Sequence, residues 1–303
     1  MFPVLQLSDL NQLPTDTPRY GVMGHPVAHS LSPQLQLAAF HACGLPASYV
    51  RIDVPPEQLN AAVQTLRDLK FSGWNCTLPN KVALLDHMDE LADSARALKA
   101  MNTVLRDEDG RLIGFNTDGD GWVRAIREEF FVDVRDLRVL ILGSGGAGQA
   151  LARQAALEKC ERLVITNRTA EKAQTLHQEL EPHFHSTKLL GAQDRLKIIP
   201  WDEDLIAQEL NTIDLVVNTT SVGLRASDPA VLPARILQPH LLIYDTIYRP
   251  AKTRLLHAAT EAGCRSANGL SMLLHQGALS FEIWTGRTAP LAAMRRALRE
   301  AAA

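Results

Sequence analysis

Gly143, Gly145 and Gly148 satisfy the pattern G-x-G-x-x-G, directly after the apolar run Leu137 to Leu142 and directly before a helical pattern from Gln149 to Glu158. Strand, glycine turn and helix in that order form a cradle for a pyrophosphate. One glycine makes the tight turn, one lets backbone approach the phosphates, and one lets helix and strand pack closely. The helix N-terminus, with Gly146 and Ala147 in the same turn, aims N–H groups and the positive end of its dipole at the anion. The chemistry implied is dinucleotide binding; a turn that binds nothing is the plainer alternative. The next strand candidate ends in Asn167-Arg168-Thr169, with Lys172 one turn on. NAD sites usually place an acid there for the ribose 2′-hydroxyl, whereas a guanidinium can fork onto a 2′-phosphate. The pattern therefore favours NADP, with NAD second.

Four polar clusters stand at strand ends in the first half: Ser30-Leu31-Ser32-Pro33, Asn75 to Lys81, Asn102-Thr103, and Asn116-Thr117-Asp118-Gly119. Polar groups gathered from separate segments are how α/β sites are assembled. His25, His29 and His275 do not make a metal site: Pro26 argues for a loop, and a zinc site needs three or four converging ligands.

The elements that must position these groups alternate between strand and helix. Strands are expected at Tyr20 to Met23, Tyr49 to Ile52 and Trp74 to Thr77, and helices at Pro33 to Ala42 and Pro56 to Leu69. Ser32 before Pro33 reads as an N-cap. Met101 to Leu105 and Arg111 to Phe115 flank Asp107-Glu108-Asp109-Gly110 as a hairpin. A second series begins near Leu137, with strands at Leu137 to Leu142, Leu163 to Thr166, Leu196 to Ile199, Leu215 to Val217 and Leu241 to Tyr244. Continuous apolar runs among them indicate parallel strands covered on both faces. The tail from Ser271 is helical, and Leu180 to Gln193 reads as a surface connection. With 303 residues, two domains are expected. The restart of the strand–helix pattern puts the boundary between them near Asp118. A net charge of −3 gives no reason to expect nucleic acid as a partner, and no apolar run is long enough for a membrane helix. Four scattered cysteines, with no C-x-x-C spacing, fit reduced thiols in a cytoplasm.

In order and spacing, the motifs resemble those of the shikimate dehydrogenase family along nearly the whole chain. The matching pieces are Gly24 to Pro33, Asn75-x-Thr77-x-Pro79-x-Lys81, Asn116 to Gly119, the glycine turn, Asn167-Arg168-Thr169, Asn218 to Gly223, Tyr244-Asp245 with Tyr248 and Pro250, Gly269 to Gln276, and Trp284-Thr285-Gly286. The resemblance implies an α/β substrate domain over 1–118, a Rossmann-like NADP domain with a parallel sheet over 119–269, and C-terminal helices, 270–303, returning to complete the first domain. It implies reversible NADP-linked oxidation of shikimate to 3-dehydroshikimate, by a monomer or homodimer. Lys81 and Asp118 take the catalytic positions, and Ser30 and Ser32 the place of the carboxylate. Asn75, Thr77, Asn102 and Gln276 match positions for ring hydroxyls, and Tyr248 a substrate-proximal tyrosine. Thr219 and Gly269 fall on the cofactor side with the glycine turn. The chemistry agrees: hydride delivery to a ketone builds charge on oxygen, and a lysine coupled to a carboxylate can supply the proton. Gln36, Trp74, Cys76 and Asn80 depart from the usual pattern around the substrate side. They keep open a quinate or amino-analogue substrate, or an NAD-linked relative. A ligand sensor that has lost catalysis is the reading from another class.

Overall fold

The structure, a computed structural model, describes residues 2–184, 194–225 and 227–302, and the side chains of all of these but 170–173. The chain divides into two compact units, Met1–Gly121 with Leu273–Ala303, and Trp122–Met272.

The first unit carries strands β1 (Val4–Leu5), β2 (Arg19–Gly24), β3 (Ser48–Asp53), β4 (Gly73–Cys76), β5 (Glu90–Leu91), β6 (Thr103–Arg106) and β7 (Leu112–Phe115). Its helices are α1 (Ser32–Ala42), α2 (Leu59–Asp68) and α3 (Asp93–Leu98). They make one sheet in the order β1-β3-β2-β4-β6-β7-β5. β1 to β4 pair in parallel; β6 joins antiparallel, and the expected hairpin β6–β7 follows it. The hairpin turn closes through Gly110 N–H to the Asp107 carbonyl at 3.1 Å. Ile52, Leu66, Phe71, Trp74, Cys76 and Val104 fill the core beneath the sheet. Trp74 and Cys76 thus depart from the usual family residues as core packing.

Ser32 is not the cap of α1. It is the first helical residue, Leu31 holds the cap position, and no side chain caps there. The serine hydroxyl is engaged elsewhere, as described below.

Asp118 opens α4 (Asp118–Phe130). The second unit then runs β8 (Arg138–Leu142), α5 (Gly146–Leu157), β9 (Arg162–Asn167), α6 (Ala170–Phe184), β10 (Leu196–Pro200), α7 (Glu203–Leu210), β11 (Leu215–Asn218), β12 (Leu242–Asp245), α8 (Arg254–Glu261) and β13 (Arg265–Asn268). These strands form a fully parallel sheet in the order β10-β9-β8-β11-β12-β13. Numbered from β8, that is the 3-2-1-4-5-6 order of the Rossmann fold, whose ligands bind where the order reverses, at β8 and β11. Alternate residues of β8 enter different cores: Val139 and Ile141 lie in one, Leu140 and Leu142 in the other. A strand buried on both faces has no use for polar alternation, which is why its apolar run was legible. β13 escaped detection because Arg265-Ser266-Ala267-Asn268, at the sheet edge, carries no apolar run. β1 and β5, two residues each, are too short to show a period.

The expected surface connection from Leu180 begins instead as helix, with Leu180 and Phe184 of α6 buried in the core; residues 185–193 lie outside the described residues. The C-terminal tail is α9 (Leu270–Thr285) and α10 (Leu291–Ala302). Within the first unit α10 lies against α1, and α9 sends Phe281 onto Phe40 and Trp284 onto Tyr20, ring centres 5.3 and 5.0 Å apart. The unit boundaries fall within α4 and α9, a few residues beyond 118 and 269, because each helix runs on past the last strand of its unit. Among the described residues no helix is long and apolar enough to cross a membrane.

Arg138 grips Asp214 with side chain and backbone, the closest contact being 2.6 Å, and so joins the starts of β8 and β11. Burial opposes the charge of Asp214, but the guanidinium and the Arg138 N–H hold its carboxyl below the usual range. A carboxyl lowered on folding adds stability above its unfolded pKa and loses it as pH falls through the folded value. Melting temperature should therefore drop below about pH 4. Asp214→Asn should lower it at pH 7 and flatten the acid limb, read by calorimetric melts across pH; an acid limb identical to that of the parent would take this pair out of the pH dependence.

Candidate active site

Lys81 follows a short link from β4. Thr77 N–H donates to the Met23 carbonyl at 2.8 Å and buried Asn80 Nδ2 to the Val54 carbonyl at 2.7 Å, while the Lys81 carbonyl accepts Met101 N–H at 2.9 Å. Asn80, another departure from the usual pattern, is thus a structural tie. Asp118 is fixed by Asn116, whose Oδ1 accepts the N–H groups of Asp118 and Gly119 at 2.9 and 3.3 Å. Its carboxylate sits in the first turn of α4, where the helix dipole favours negative charge.

These constraints bring Lys81 Nζ to 2.6 Å from Asp118 Oδ2, with side chains 22% and 12% exposed. The pair is enclosed enough to feel a reduced dielectric and open enough to meet a ligand. The second carboxylate oxygen, Oδ1, accepts from Asn102 Nδ2 at 3.0 Å. The arrangement can pass a proton to or from an oxygen placed beside it. Cys76, close by, is no competing nucleophile: burial pushes its thiol up to about 12, with Lys81 and Asp118 pulling in opposite directions.

Around the pair runs a buried hydrogen-bond network within the first unit. Asn102 Nδ2 also reaches Thr117 Oγ1 at 2.9 Å and Gln276 Oε1 at 3.1 Å, and Asn102 Oδ1 accepts Thr117 N–H at 2.8 Å. Gln276 Nε2 donates to the Leu273 carbonyl at 2.8 Å. Asn75 Nδ2 donates to the Asn102 carbonyl, Thr103 Oγ1 and Ser280 Oγ, and its Oδ1 accepts from the Tyr49 hydroxyl at 2.7 Å. Both amide protons of Asn75 are thus engaged by the protein. The Ser32 side chain lies beside the Tyr49 hydroxyl, and the Ser30 hydroxyl donates to Ser32 Oγ at 3.1 Å. Thr77 is half-buried, its hydroxyl without a partner among the described residues. The network therefore brings together Ser30, Ser32, Asn75, Lys81, Asn102, Asp118 and Gln276, out of five separate stretches of chain. Tyr49 and Ser280 were missed. Tyr49 hid inside an apparently apolar strand, but Ser280 lies four residues beyond Gln276, one turn along the same helix face, a spacing that could have marked it. Gln36 is fully buried and donates from Nε2 to the Gly277 carbonyl at 2.9 Å. His25, one of the histidines set aside as metal ligands, faces Asp53 at 3.0 Å.

In the second unit, Gly145 caps α5 and the first helical bond runs from Gln149 N–H to the Gly145 carbonyl at 2.9 Å. The N–H groups of Gly146, Ala147 and Gly148 are left outside the helical ladder. Gly143 takes φ of +99°, the left-handed region that a side chain disfavours, and a Cβ on Gly148 would lie 2.1 Å from the Gly143 carbonyl oxygen. Thr219 braces the turn, its hydroxyl donating to the Leu142 and Gly143 carbonyls at 2.8 and 3.1 Å. Asn167 Oδ1 accepts Ser144 N–H at 3.3 Å, and its Nδ2 holds the Thr169 carbonyl at 2.9 Å. A cavity of about 380 Å³ opens here, lined among others by Gly143, Gly145, Asn167, Arg168, Thr219 and Val222. Arg168 is exposed at this cavity and has no acidic partner among the described residues. A free-standing guanidinium beside an open phosphate cradle fits a dinucleotide bearing a 2′-phosphate. The Lys172 side chain lies outside the described residues. Gly269 N–H donates to the Ile247 carbonyl at 3.2 Å, and half-buried Tyr248 follows on that segment.

Asp245 has no exposure. Its Oδ1 accepts from Asn218 Nδ2 at 3.0 Å and Ile247 N–H at 3.1 Å, and its Oδ2 from the Thr253 hydroxyl at 2.6 Å. Burial pushes its carboxyl above the usual range and the three donors offset part of that rise. Asn218 in turn holds Thr220 and the Val222 carbonyl, so Asp245 fixes the loop that walls the cavity.

The second unit is built to hold a hydride carrier and the first to move a proton; between them they define a dinucleotide-dependent dehydrogenase of alcohols and ketones. Family profiles narrow the class. The shikimate dehydrogenase substrate binding domain matches residues 22–104, shikimate / quinate 5-dehydrogenase residues 125–199, and the shikimate 5′-dehydrogenase C-terminal domain residues 269–299. The chain is 42% identical over 282 residues to the NADP(+) shikimate dehydrogenase of Methanopyrus kandleri, covering 92% of this chain and 94% of that protein. Among solved structures, a shikimate dehydrogenase in complex with NADP+ superposes with a TM-score of 0.84 at 34% identity, covering 95% and 96% of the two chains. The Thermus thermophilus shikimate 5-dehydrogenase in complex with NADP(H) and shikimate gives 0.81 at 36% identity, covering 94% and 99%. The chain belongs to the shikimate dehydrogenase family.

Gly148→Ala forces a methyl against the Gly143 carbonyl. It should weaken NADP binding at least about tenfold, about 1.4 kcal/mol, and leave substrate binding to the first unit intact. Fluorescence titration of each ligand tests this; parent-like NADP affinity would mean that the turn has room the geometry denies it.

Proposed function

We propose that the chain catalyses the reversible NADP-linked oxidation of shikimate to 3-dehydroshikimate. The observation that carries this reading is the Lys81–Asp118 contact of 2.6 Å, with Asn102 on the second carboxylate oxygen. Bound NADP(H) supplies or accepts the hydride. Lys81 gives a proton to the substrate oxygen during reduction and takes it back during oxidation. Asp118 offsets the lysine's charge and accepts a hydrogen bond from the reacting hydroxyl. Ser30 and Ser32 hold the carboxylate. Thr77, Asn102 and Gln276 meet the ring hydroxyls, and Tyr248 stands near the substrate. Asn75 belongs with them at the ring and, through the Asn102 carbonyl, also positions Asn102. A site of amides and hydroxyls selects a polyhydroxylated acid, because each buried partner left unpaired by a lesser analogue costs about 1–3 kcal/mol. The N–H groups of Gly146, Ala147 and Gly148 receive the pyrophosphate, with Gly143, Gly145, Thr219 and Gly269 shaping the place. Asn167, Arg168, Thr169 and Lys172 take the 2′-phosphate end. Free thiols at Cys43, Cys76, Cys160 and Cys264 suit the reducing cytoplasm.

Assaying the purified chain with shikimate and quinate, each with NADP and NAD, tests the whole reading; shikimate with NADP should give the highest kcat/KM. Lys81→Ala should cut kcat by about 10²- to 10⁴-fold while shikimate affinity stays within a few-fold, read by steady-state kinetics and ligand titration. Unchanged turnover would remove the lysine from proton transfer. Arg168→Ala should raise KM for NADP about tenfold or more, from the loss of a charge-assisted fork, and leave KM for NAD nearly unmoved. Equal rises for both cofactors would mean that the guanidinium does not read the 2′-phosphate.

A further inference from the structure

β3 presents Tyr49 and Arg51, two residues apart and so on the same face of the sheet, both buried. The Tyr49 hydroxyl donates to Asn75 Oδ1 and lies beside Ser32. Arg51 meets Ser30 through its backbone: Nε donates to the Ser30 carbonyl at 2.9 Å, and Nη2 donates to the same oxygen. Nη1 donates to the Phe2 carbonyl at 2.8 Å, and the Phe2 ring lies 5.9 Å from the guanidinium carbon. Arg51 is only 3% exposed. A buried guanidinium is costly to desolvate and is held by oriented acceptors; here the fork converges on one carbonyl.

Ser30 N–H is tied to the Val27 carbonyl at 3.1 Å, and Ser30 Oγ accepts Ser32 N–H at 3.3 Å. With its carbonyl clamped, its N–H tied and its side-chain oxygen accepting Ser32 N–H, Ser30 keeps one freedom: its hydroxyl proton, which rests on Ser32 Oγ, can turn outward. The two serine oxygens, 3.1 Å apart, are thereby held in place, and with their protons turned outward they match the two oxygens of one carboxylate.

We propose that Arg51 is a positioning residue for the substrate's carboxylate, acting through the backbone of Ser30 to set the serine pair. This rests on the assignment of Ser30 and Ser32 to the carboxylate. The forked geometry does the work, so a lysine, a compact single ammonium, does not replace it.

The test compares parent, Arg51→Lys and Arg51→Met in steady-state kinetics with shikimate and with its methyl ester, whose carboxyl carries no charge. Both variants should raise KM for shikimate at least tenfold, with kcat within threefold and KM for NADP unchanged. The ester, bound poorly by the parent, should show no such rise. In a Ser30→Ala background, Arg51→Lys should add less than twofold. Any one of three results overturns the proposal: parent-like KM in Arg51→Lys, an equal rise for acid and ester, or fully additive effects with Ser30→Ala. Should Arg51→Met fail to fold, the Arg51→Lys and Ser30→Ala comparison decides alone. A parent enzyme that ignores shikimate overturns the substrate reading instead. The same contrasts are then run with whichever carboxylic acid it does turn over and the methyl ester of that acid.

Discussion

The amide of Asn102 is the contact on which the first unit's site depends. Its Nδ2 binds Asp118, Thr117 and Gln276, its Oδ1 holds the N–H of Thr117, and its own carbonyl is held by Asn75. A buried amide with its donors and acceptor used is rigid, because any rotation would leave a polar group unpaired where water cannot compensate. That rigidity reaches the chemistry directly: one oxygen of Asp118 is committed to Asn102, which leaves the other facing Lys81. The same network extends through Asn75 to Tyr49, whose hydroxyl lies beside the serine pair.

The second unit solves a comparable problem with backbone. The phosphate cradle needs N–H groups that point outward, and these exist only if the turn between β8 and α5 stays tight. Thr219 ties that turn from the neighbouring strand β11, and Asn218 ties the following loop to Asp245 on β12. A carboxylate buried between strand ends is retained because three donors converge on it. Its service is to geometry rather than proton transfer.

The positions where this chain departs from the usual family residues turn out to be mostly interior. Trp74 and Cys76 belong to the core of the first unit, Asn80 to a backbone tie, and Gln36 to a contact with the Gly277 carbonyl. Trp74, Cys76 and Asn80 flank site residues in sequence and Gln36 lies one helical turn beyond Ser32, while all four side chains are buried away from solvent. Adjacency along a strand places neighbours on opposite faces, so Trp74 and Cys76 face away from Asn75.

The sequence by itself determined the parts that rest on local rules. The doubly buried parallel strands, the glycine turn with its helix, the hairpin at Asp107 to Gly110 and the lack of an acid after β9 all follow from period, sterics and charge within a few residues. Motif order also singled out Lys81 and Asp118, the pair proposed for catalysis. Only the tertiary structure decided what depends on contacts between distant segments. It brought Lys81 to Asp118 across 37 positions and Asn75 to Ser280 across 205. It turned Ser32 from a presumed helix cap into one half of a hydroxyl pair, and it placed Tyr49, Arg51 and Asp245 as supports. None of these carries a local signal, because an arginine in a strand has the same pattern whether it meets water or the carbonyl of Ser30. Burial and a partner's direction are properties of the packed sheet, and they exist only once the chain has closed on itself.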